Sequence, residues 1–463
     1  VGRDRPSLGT IGQAASGSTP DADDPSAPDV PRRTRPGGDV AGSIAVIGTG
    51  YVGLTTGACL AHLGHDVVCA DVDRSKVERL ERGEIPILED GLEELVRDSV
   101  RAGRLRFVLG AENAVADREF IFLCVPTPQG ADGSADLSYI EAAAREISPH
   151  LLSEAVVINK STVPVGSTLV VERALQRADV SVVSNPEFLR EGSAVHDFLH
   201  PDRVVIGSTD QAAAIRVASL YLGLAAPLMV TDPASAETIK YASNAFLAAK
   251  ISFVNAIAAV CEAVGADVND VVLGMGYDKR IGQEFLRPGP GWGGSCFPKD
   301  SHALVRIAED AGYEFGLLKG VIEVNEQQFD RVVTKVREAA GGSLEGVRVA
   351  AWGLTFKART DDLRDSPAIE IIHRLQAAGA EVRAYDPAIS ADVAGIEVAA
   401  DPYAACEGAE VLAVLTEWDE FRWLDLDKVG DAMAGRRVVD ARNLLDRNRL
   451  RQSGFEYQGI GRS

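Results

Sequence analysis

The stretch "SIAVIGTGYVGLTTGACLAHLGHDVVCADVD" (43–73) constrains the chain most. Residues 44–47 are a short apolar run suited to a buried parallel strand. Gly48, Gly50 and Gly53 follow at G-x-G-x-x-G spacing, and a helical segment then runs to Gly64, where a helix C-cap belongs. "DVVCAD" reads as a second strand closing on Asp71. The unit is βαβ, and it predicts an α/β fold. A pyrophosphate can approach the backbone only where side chains are absent, and a helix N-terminus offers free N–H groups to its charge. An acid ending the second strand accepts from ribose hydroxyls and repels a 2′-phosphate, so Asp71 argues for NAD over NADP. A glycine triplet alone is a weak signal; the ordered strand, turn, helix, strand and acid make the dinucleotide reading the stronger one.

The alternation continues. "EFIFLCVPTP" (119–128) and "AVVINKSTVPVG" (155–166) are buried strands running into turns. Thr127, Ser161 and Thr162 fall just past strand ends, the edge where open α/β sheets bind ligands, although Ser, Thr and Pro are common in any turn. "SVVSNPEFLREGSA" (181–194) places Glu187 and Glu191 four apart. An exposed salt-bridge pair is the bland account; their place after an apolar strand favours an active-site edge.

With 463 residues, two or three domains are expected. A net charge of −21 gives no general attraction to nucleic acid or anionic membranes. No continuous apolar run reaches the ~18 residues of a membrane span. Six cysteines, with no C-x-x-C pair, fit reduced thiols in a cytoplasm and suggest no metal site. Residues 1–42 are rich in Pro, Gly, Ser, Asp and Arg, and predict a disordered tail without a secretory h-region.

From about residue 233 the strand pattern gives way to an Ala-rich helical stretch, where Lys240 and Asn244 share one face. A solvent-facing lysine is the default, but Ile239 and Tyr241 flank this one in an uncharged stretch, which raises the chance that it points inward. Residues 317–340 read as a long helix ended by Gly341 and Gly342. "GVRVAAWGLTFKARTDDLRDSP" (346–367) then restarts the α/β pattern, with a helix expected near Pro367. Lys357, Arg364 and Arg442 follow strand ends, where cations can meet phosphates or simply face solvent. The expected parts are an N-terminal Rossmann domain (43–232), a helical centre (233–342) and a C-terminal α/β domain (343–455).

"GPGWGGSCFPKD" (289–300) sets Cys296 behind glycines and ahead of Pro298. It lacks the apolar periodicity of a packed cysteine, which leaves a thiol on a loop that a substrate carbon can approach.

Together, "GTGYVG", "CVPTP", "KSTVPVG", "NPEFLREG", "KYASNAF", "GWGGSCFPKD" and "FKARTDDLRDSP" resemble the UDP-glucose/GDP-mannose dehydrogenase family, in family order across about 43–450. The resemblance implies NAD-dependent oxidation of UDP-glucose to UDP-glucuronate by two hydride transfers, in a homodimer held by the central helices. It implies Cys296 as nucleophile, with Lys240, Asn244, Asp300, Glu187 and Thr162 around it. Cofactor contacts carry over to Gly48, Gly50, Tyr51, Val52, Gly53, Asp71, Lys76, Thr127, Glu191, Lys299 and Arg364. Sugar-nucleotide contacts carry over to Glu187, Phe188, Leu189, Arg190, Lys240, Asn244, Phe285, Leu286, Arg287, Pro288, Gly289, Gly293, Lys357 and Arg442, and Arg280 resembles an arginine reaching the partner's substrate. Within the family, UDP-N-acetylmannosamine dehydrogenases carry His rather than Ser before the cysteine, and "CVPTP" and "FLRPGPGWGG" favour the UDP-glucose group over GDP-mannose. A nucleotide sensor without catalysis is the rival from another class. Lys240 and Lys299 are the cations expected to favour a Cys296 thiolate.

Overall fold

The computed structural model describes residues 41–128, 130 and 135–462, so nearly all of the expected N-terminal tail lies outside the described residues. Two sheets organise the described chain. The first has β1 (Ser43–Ile47), β2 (Asp66–Asp71), β3 (Leu105–Leu109), β4 (Phe120–Leu123), β5 (Val156–Asn159), β6 (Ser181–Ser184), β7 (Val204–Gly207) and β8 (Leu228–Thr231). Their order is β3-β2-β1-β4-β5-β6-β7-β8. All pairs are parallel except β6 with β7, which meet antiparallel at Ser184 and Gly207. Helix α1 (Tyr51–His62) follows the glycine turn, and Gly64 takes a φ of +102° just after it. Apolar clusters cover both faces of the sheet, as fully buried Val- and Ile-rich parallel strands require.

Helix α2 (Pro233–Val264) leaves this sheet for the centre. Its ends are well marked: Asp232 accepts from Ser235 N at 2.8 Å, Pro233 occupies the first turn, and Gly265 closes it at φ +75°. It packs on β7, α3 (Phe297–Asp310) and α4 (Gly316–Ala339). Sequence reading found no continuous apolar run long enough for a membrane. Helix α2 nevertheless meets that test by length and mean composition. Isolated polar residues break the run without lowering the average much. Several of them, including Glu237, Lys240, Asn244 and Asn255, are buried inside the protein.

Helix α4 leads into the second sheet: β9 (Arg348–Trp352), β10 (Glu381–Tyr385), β11 (Glu397–Val398), β12 (Val411–Val414), β13 (Arg437–Asp440) and β14 (Glu456–Gly459). The order β11-β10-β9-β12-β13-β14 is parallel throughout. Helix α5 (Pro367–Ala377) begins at the expected proline, with the Ser366 hydroxyl accepting from Ala368 N. Strands β3, β7, β8, β11 and β14 were not foreseen. Leu228, Met229 and Val230 of β8 are exposed, and β11 has two residues, so neither carries a burial pattern to read.

Candidate active site

The dinucleotide turn is built from backbone constraints. Gly48 takes φ +95°, and a Cβ there would stand 2.6 Å from the Cys124 carbonyl. A Cβ on Gly53 would meet the Gly48 carbonyl at 1.9 Å, so α1 packs against the turn only because Gly53 has none. Gly50 has open space around it, and it begins α1 with no side-chain cap. A phosphate fits that opening. Asp71 Oδ2 accepts from Thr49 N at 2.9 Å and Thr49 Oγ1 at 2.6 Å, and pairs with Lys76 at 3.1 Å. Partial burial favours the neutral acid, but these donors outweigh it and hold Asp71 below the usual carboxylate range. Among the described residues its Oδ1 accepts from Asp73 N alone, which leaves a lone pair for a ribose hydroxyl. These residues fit NAD.

The reacting groups converge from three elements. Lys240, on α2, is 4% exposed and donates to Glu187 Oε1 at 2.7 Å. Glu187, also buried, accepts Leu189 N–H through its other oxygen at 2.6 Å. Burial alone drives Glu187 toward neutrality, yet Lys240 and these hydrogen bonds hold it lowered. Burial likewise works against the Lys240 charge, and Glu187, Cys296 and Asp300 together outweigh it and raise its pKa. One turn further along α2, Asn244 Nδ2 donates to Asp300 Oδ2 at 2.6 Å, while Lys299 pairs with Asp300 Oδ1. The inward lysine read from its apolar neighbours is therefore inward.

Cys296 opens α3 and is part-exposed, whereas the other five cysteines are buried. Lys240 and Lys299 favour its thiolate, as expected. Burial is nevertheless the larger effect, Glu187 and Asp300 add to it, and the thiol is pushed up.

The second sheet reaches the same place through the loop after β9. Arg364 pairs with Asp362 at 2.7 Å and with Glu191 Oε1 at 3.2 Å, and Ser295 Oγ donates to that same Oε1 at 2.9 Å. Burial and the adjacent Asp362 raise Glu191 to about 7. Tyr51, Ile87, Glu191, Asp362 and Arg364 border one cleft of about 250 Å³. A Cβ on Gly293 would stand 1.9 Å from the Asp365 carbonyl, so the cysteine loop lies directly on the second sheet's loop. Trp292 anchors it through Nε1 to Ser252 Oγ at 2.9 Å. Lys357 is largely buried, which lowers its pKa, while Glu191 and Glu417 oppose the shift. Gly289 donates to Asn255 Oδ1 at 2.8 Å and faces Arg442, which donates to the Phe356 carbonyl at 3.0 Å.

Thr127 and Thr162 are buried and joined, Oγ1 of the first to the carbonyl of the second at 2.8 Å. Val52 is partly buried against the core of the first sheet. Phe188 carries Arg203 on its ring at 3.7 Å, and Leu189 packs on the same core. Leu286, Pro288 and Gly289 are buried, Arg287 is exposed, and Phe285 sits at φ +62° with its ring 6.4 Å from that of Phe297. Arg190 turns outward to Asp197, and Arg280 is exposed and pairs with Asp278, so neither joins the cluster within this chain.

Sequence reasoning missed Glu89. One buried carboxylate accepts from Tyr51 OH, from Gly192 N at 2.7 Å and from Ala194 N at 2.7 Å, tying the dinucleotide turn to the Glu187–Glu191 loop. Nothing in "ILEDGLEELV" separates it from the exposed Glu93 and Glu94. Lys160 and Asn185, buried beneath Glu187, were quoted within motifs but given no role.

Comparison with known proteins follows the same division. Three profiles of the UDP-glucose/GDP-mannose dehydrogenase family match: the NAD binding domain over residues 42–225, the central domain over 234–327 and the UDP binding domain over 350–447. The chain belongs to this family. UDP-glucose 6-dehydrogenase of Rhizobium meliloti (strain 1021) is 48% identical over 433 residues, covering 90% of this chain and 99% of that protein. UDP-glucose 6-dehydrogenase TuaD of Bacillus subtilis (strain 168) is 46% identical, covering 90% and 93%. The structure of a UDP-glucose dehydrogenase from Pyrobaculum islandicum superposes with a TM-score of 0.86 at 40% identity, covering 93% of this chain and 100% of that one. The cofactor of the first sheet is NAD.

Proposed function

We propose that the chain converts UDP-glucose, two NAD⁺ and water into UDP-glucuronate, two NADH and three protons, through a covalent intermediate on Cys296. The observation that carries this reading is one cluster: Cys296, the Lys240–Glu187 pair and the Asn244–Asp300 pair, joined through Glu191 and Arg364 to the wall that bears Tyr51. An alcohol dehydrogenase that stopped at the aldehyde would need no nucleophile. An aldehyde must first gain a fourth substituent before its carbon can release another hydride.

NAD, when bound, supplies the acceptor for each hydride. Lys240 and Asn244 supply donors for an oxyanion at the sugar carbon. Cys296 is held as a thiol, so its S–C bond forms as the thiol proton passes to the aldehyde oxygen, giving a thiohemiacetal. Loss of the second hydride and the hydroxyl proton leaves a thioester. Water then breaks the S–C bond and restores the thiol. Glu187 and Asp300 are the carboxylates that take up protons or hold that water, with Thr162 assigned to the same chemistry. Lys357 and Arg442, the latter facing Gly289, form the sugar-nucleotide side together with Gly293. We assign these roles to domains of 43–232, 233–342 and 343–455. UDP-glucose is favoured over UDP-N-acetylmannosamine because Ser295, rather than a histidine, precedes the cysteine and bonds Glu191; initial rates on the two sugar nucleotides compare them directly.

We read the apolar residues left exposed on α2, such as Phe246, Phe253 and Val264, as the homodimer surface, and the free cysteines as fitting a cytoplasmic enzyme. The test is Cys296→Ala, which loses NADH formation while its NAD affinity stays within about twofold, a truncation of the thiol alone being far from the phosphate turn. Wild-type enzyme yields two NADH per UDP-glucose. Full turnover by the variant, or one NADH per sugar, overturns the covalent route.

A further inference from the structure

Lys160 lies one residue past β5, is 5% exposed, and has no part in the reaction described above. Its Nζ donates to Asn185 Oδ1 at 3.1 Å and sits 5.8 Å from the centre of the Tyr221 ring. The Tyr221 hydroxyl donates to the same Oδ1 at 2.6 Å, and Asn185 Nδ2 donates to the Val205 carbonyl. The hydrogen-bond partner of this buried ammonium is thus a neutral amide rather than a carboxylate. Such a charge is expensive to bury. Glu187, two residues beyond Asn185, offsets part of that cost. The groups facing Glu187 are Lys160 from the end of β5, Lys240 from α2, Cys124 from the end of β4 and Cys296 from the start of α3, together with the Leu189 N–H of its own loop. Two cations therefore share one carboxylate.

We infer that Lys160 is a positioning residue that keeps Glu187 ionised when Lys240 turns its hydrogen bonds to the substrate oxygen. The inference rests on the reading that Glu187 takes part in the chemistry. Lys240 cannot donate fully to an oxyanion and hold Glu187 as before. Lys160, buried and hydrogen-bonded to Asn185, keeps its field throughout. Burial brings its own pKa down to about 8, with Glu187 and Cys124 opposing the shift and Lys240 adding to it, so the device is charged at neutral pH.

The experiment is the pH profile of kcat for UDP-glucose oxidation in wild type, Lys160→Met, Lys160→Arg and Glu187→Gln, with a thermal melt on each. Asn185 Oδ1 keeps its Tyr221 donor in Lys160→Met, so the amide is not orphaned. Removing a cation raises the pKa of the carboxylate it favours, so the acid limb moves upward by about one unit while KM for UDP-glucose changes little. The gap between variant and wild type closes above about pH 8, where Lys160 itself loses its proton. Lys160→Arg returns the limb to its wild-type position. An unmoved limb in Lys160→Met, with only a lowered Tm, shows packing alone and overturns the inference. Should Lys160→Met not fold, Lys160→Gln carries the same comparison. A Glu187→Gln enzyme that keeps the wild-type acid limb instead overturns the role of Glu187 itself.

Discussion

The molecule contains the same turn twice, and only one copy is open. In the first sheet Gly48 donates to the Ala70 carbonyl at 2.8 Å, and Thr49 donates to Asp71 at the end of β2. In the second, Gly353 donates to the Tyr385 carbonyl at 2.8 Å, and Leu354 and Thr355 donate to Asp386 just past β10. Both glycines hold a φ near +95° to +99°. The neighbouring strand decides the rest. After β4 comes a small residue, Cys124, and Gly50 looks into open space. After β12 comes Thr416, whose Cβ would stand 2.3 Å from a Cβ on Gly353, and then Trp418, whose indole N–H donates to Asp386 at 3.1 Å. Asp386 thus accepts from five protein donors, Ala388 N among them, and is 1% exposed. The second frame has become an internal polar core. The cations of this half stand instead on the loop between β9 and α5, which carries Lys357 and Arg364.

That contrast can be broken by experiment. Asp386→Asn should cost about 3 kcal/mol of stability, since an amide cannot accept from every donor converging there, and leave KM for NAD unchanged. A denaturation curve and NAD kinetics read both halves, and a raised KM for NAD would erase the distinction between the turns. The mirror change, Asp71→Asn, should raise KM for NAD about tenfold with kcat and Tm nearly constant, as expected for a group whose free lone pair meets a ligand. A lost Tm with intact NAD binding would make Asp71 a second Asp386. The smallest effect is expected where the halves touch. Glu191 has its folded pKa raised to about 7, so its ionisation disfavours the fold increasingly as pH climbs from its ordinary value through 7. Glu191→Gln should therefore stabilise by about 1 kcal/mol at pH 8 relative to wild type and by almost nothing at pH 5. Equal melts at both pH values would remove the coupling.

The open turn was legible because its constraints are local: glycines that must lack a Cβ, and an acid one strand away. Cys296 was legible for a related reason, an absence of packing periodicity. The closed turn was not, because Trp418 lies 32 residues beyond Asp386 and only the sheet order brings them together. Glu89 looked like its exposed neighbours, and its three donors come from loops up to 105 residues away. The net direction of the Cys296 shift was not legible for the same reason: sequence gives the charges but not which of them pair before they reach the sulfur.

Helix α2 sets a further condition. It carries Lys240 and Asn244 near its start, and Glu262 near its end accepts from Gly461 N at 2.7 Å, beyond the last strand of the second sheet. Twenty-two residues separate Lys240 from Glu262, about 33 Å at helical rise, in one unbroken rod. A single inserted residue would turn one end by about 100° relative to the other. Either the lysine would leave Glu187 or the far sheet would lose its mooring. The helix therefore works as a ruler of fixed count, on which loops elsewhere are free to lengthen and this segment is not.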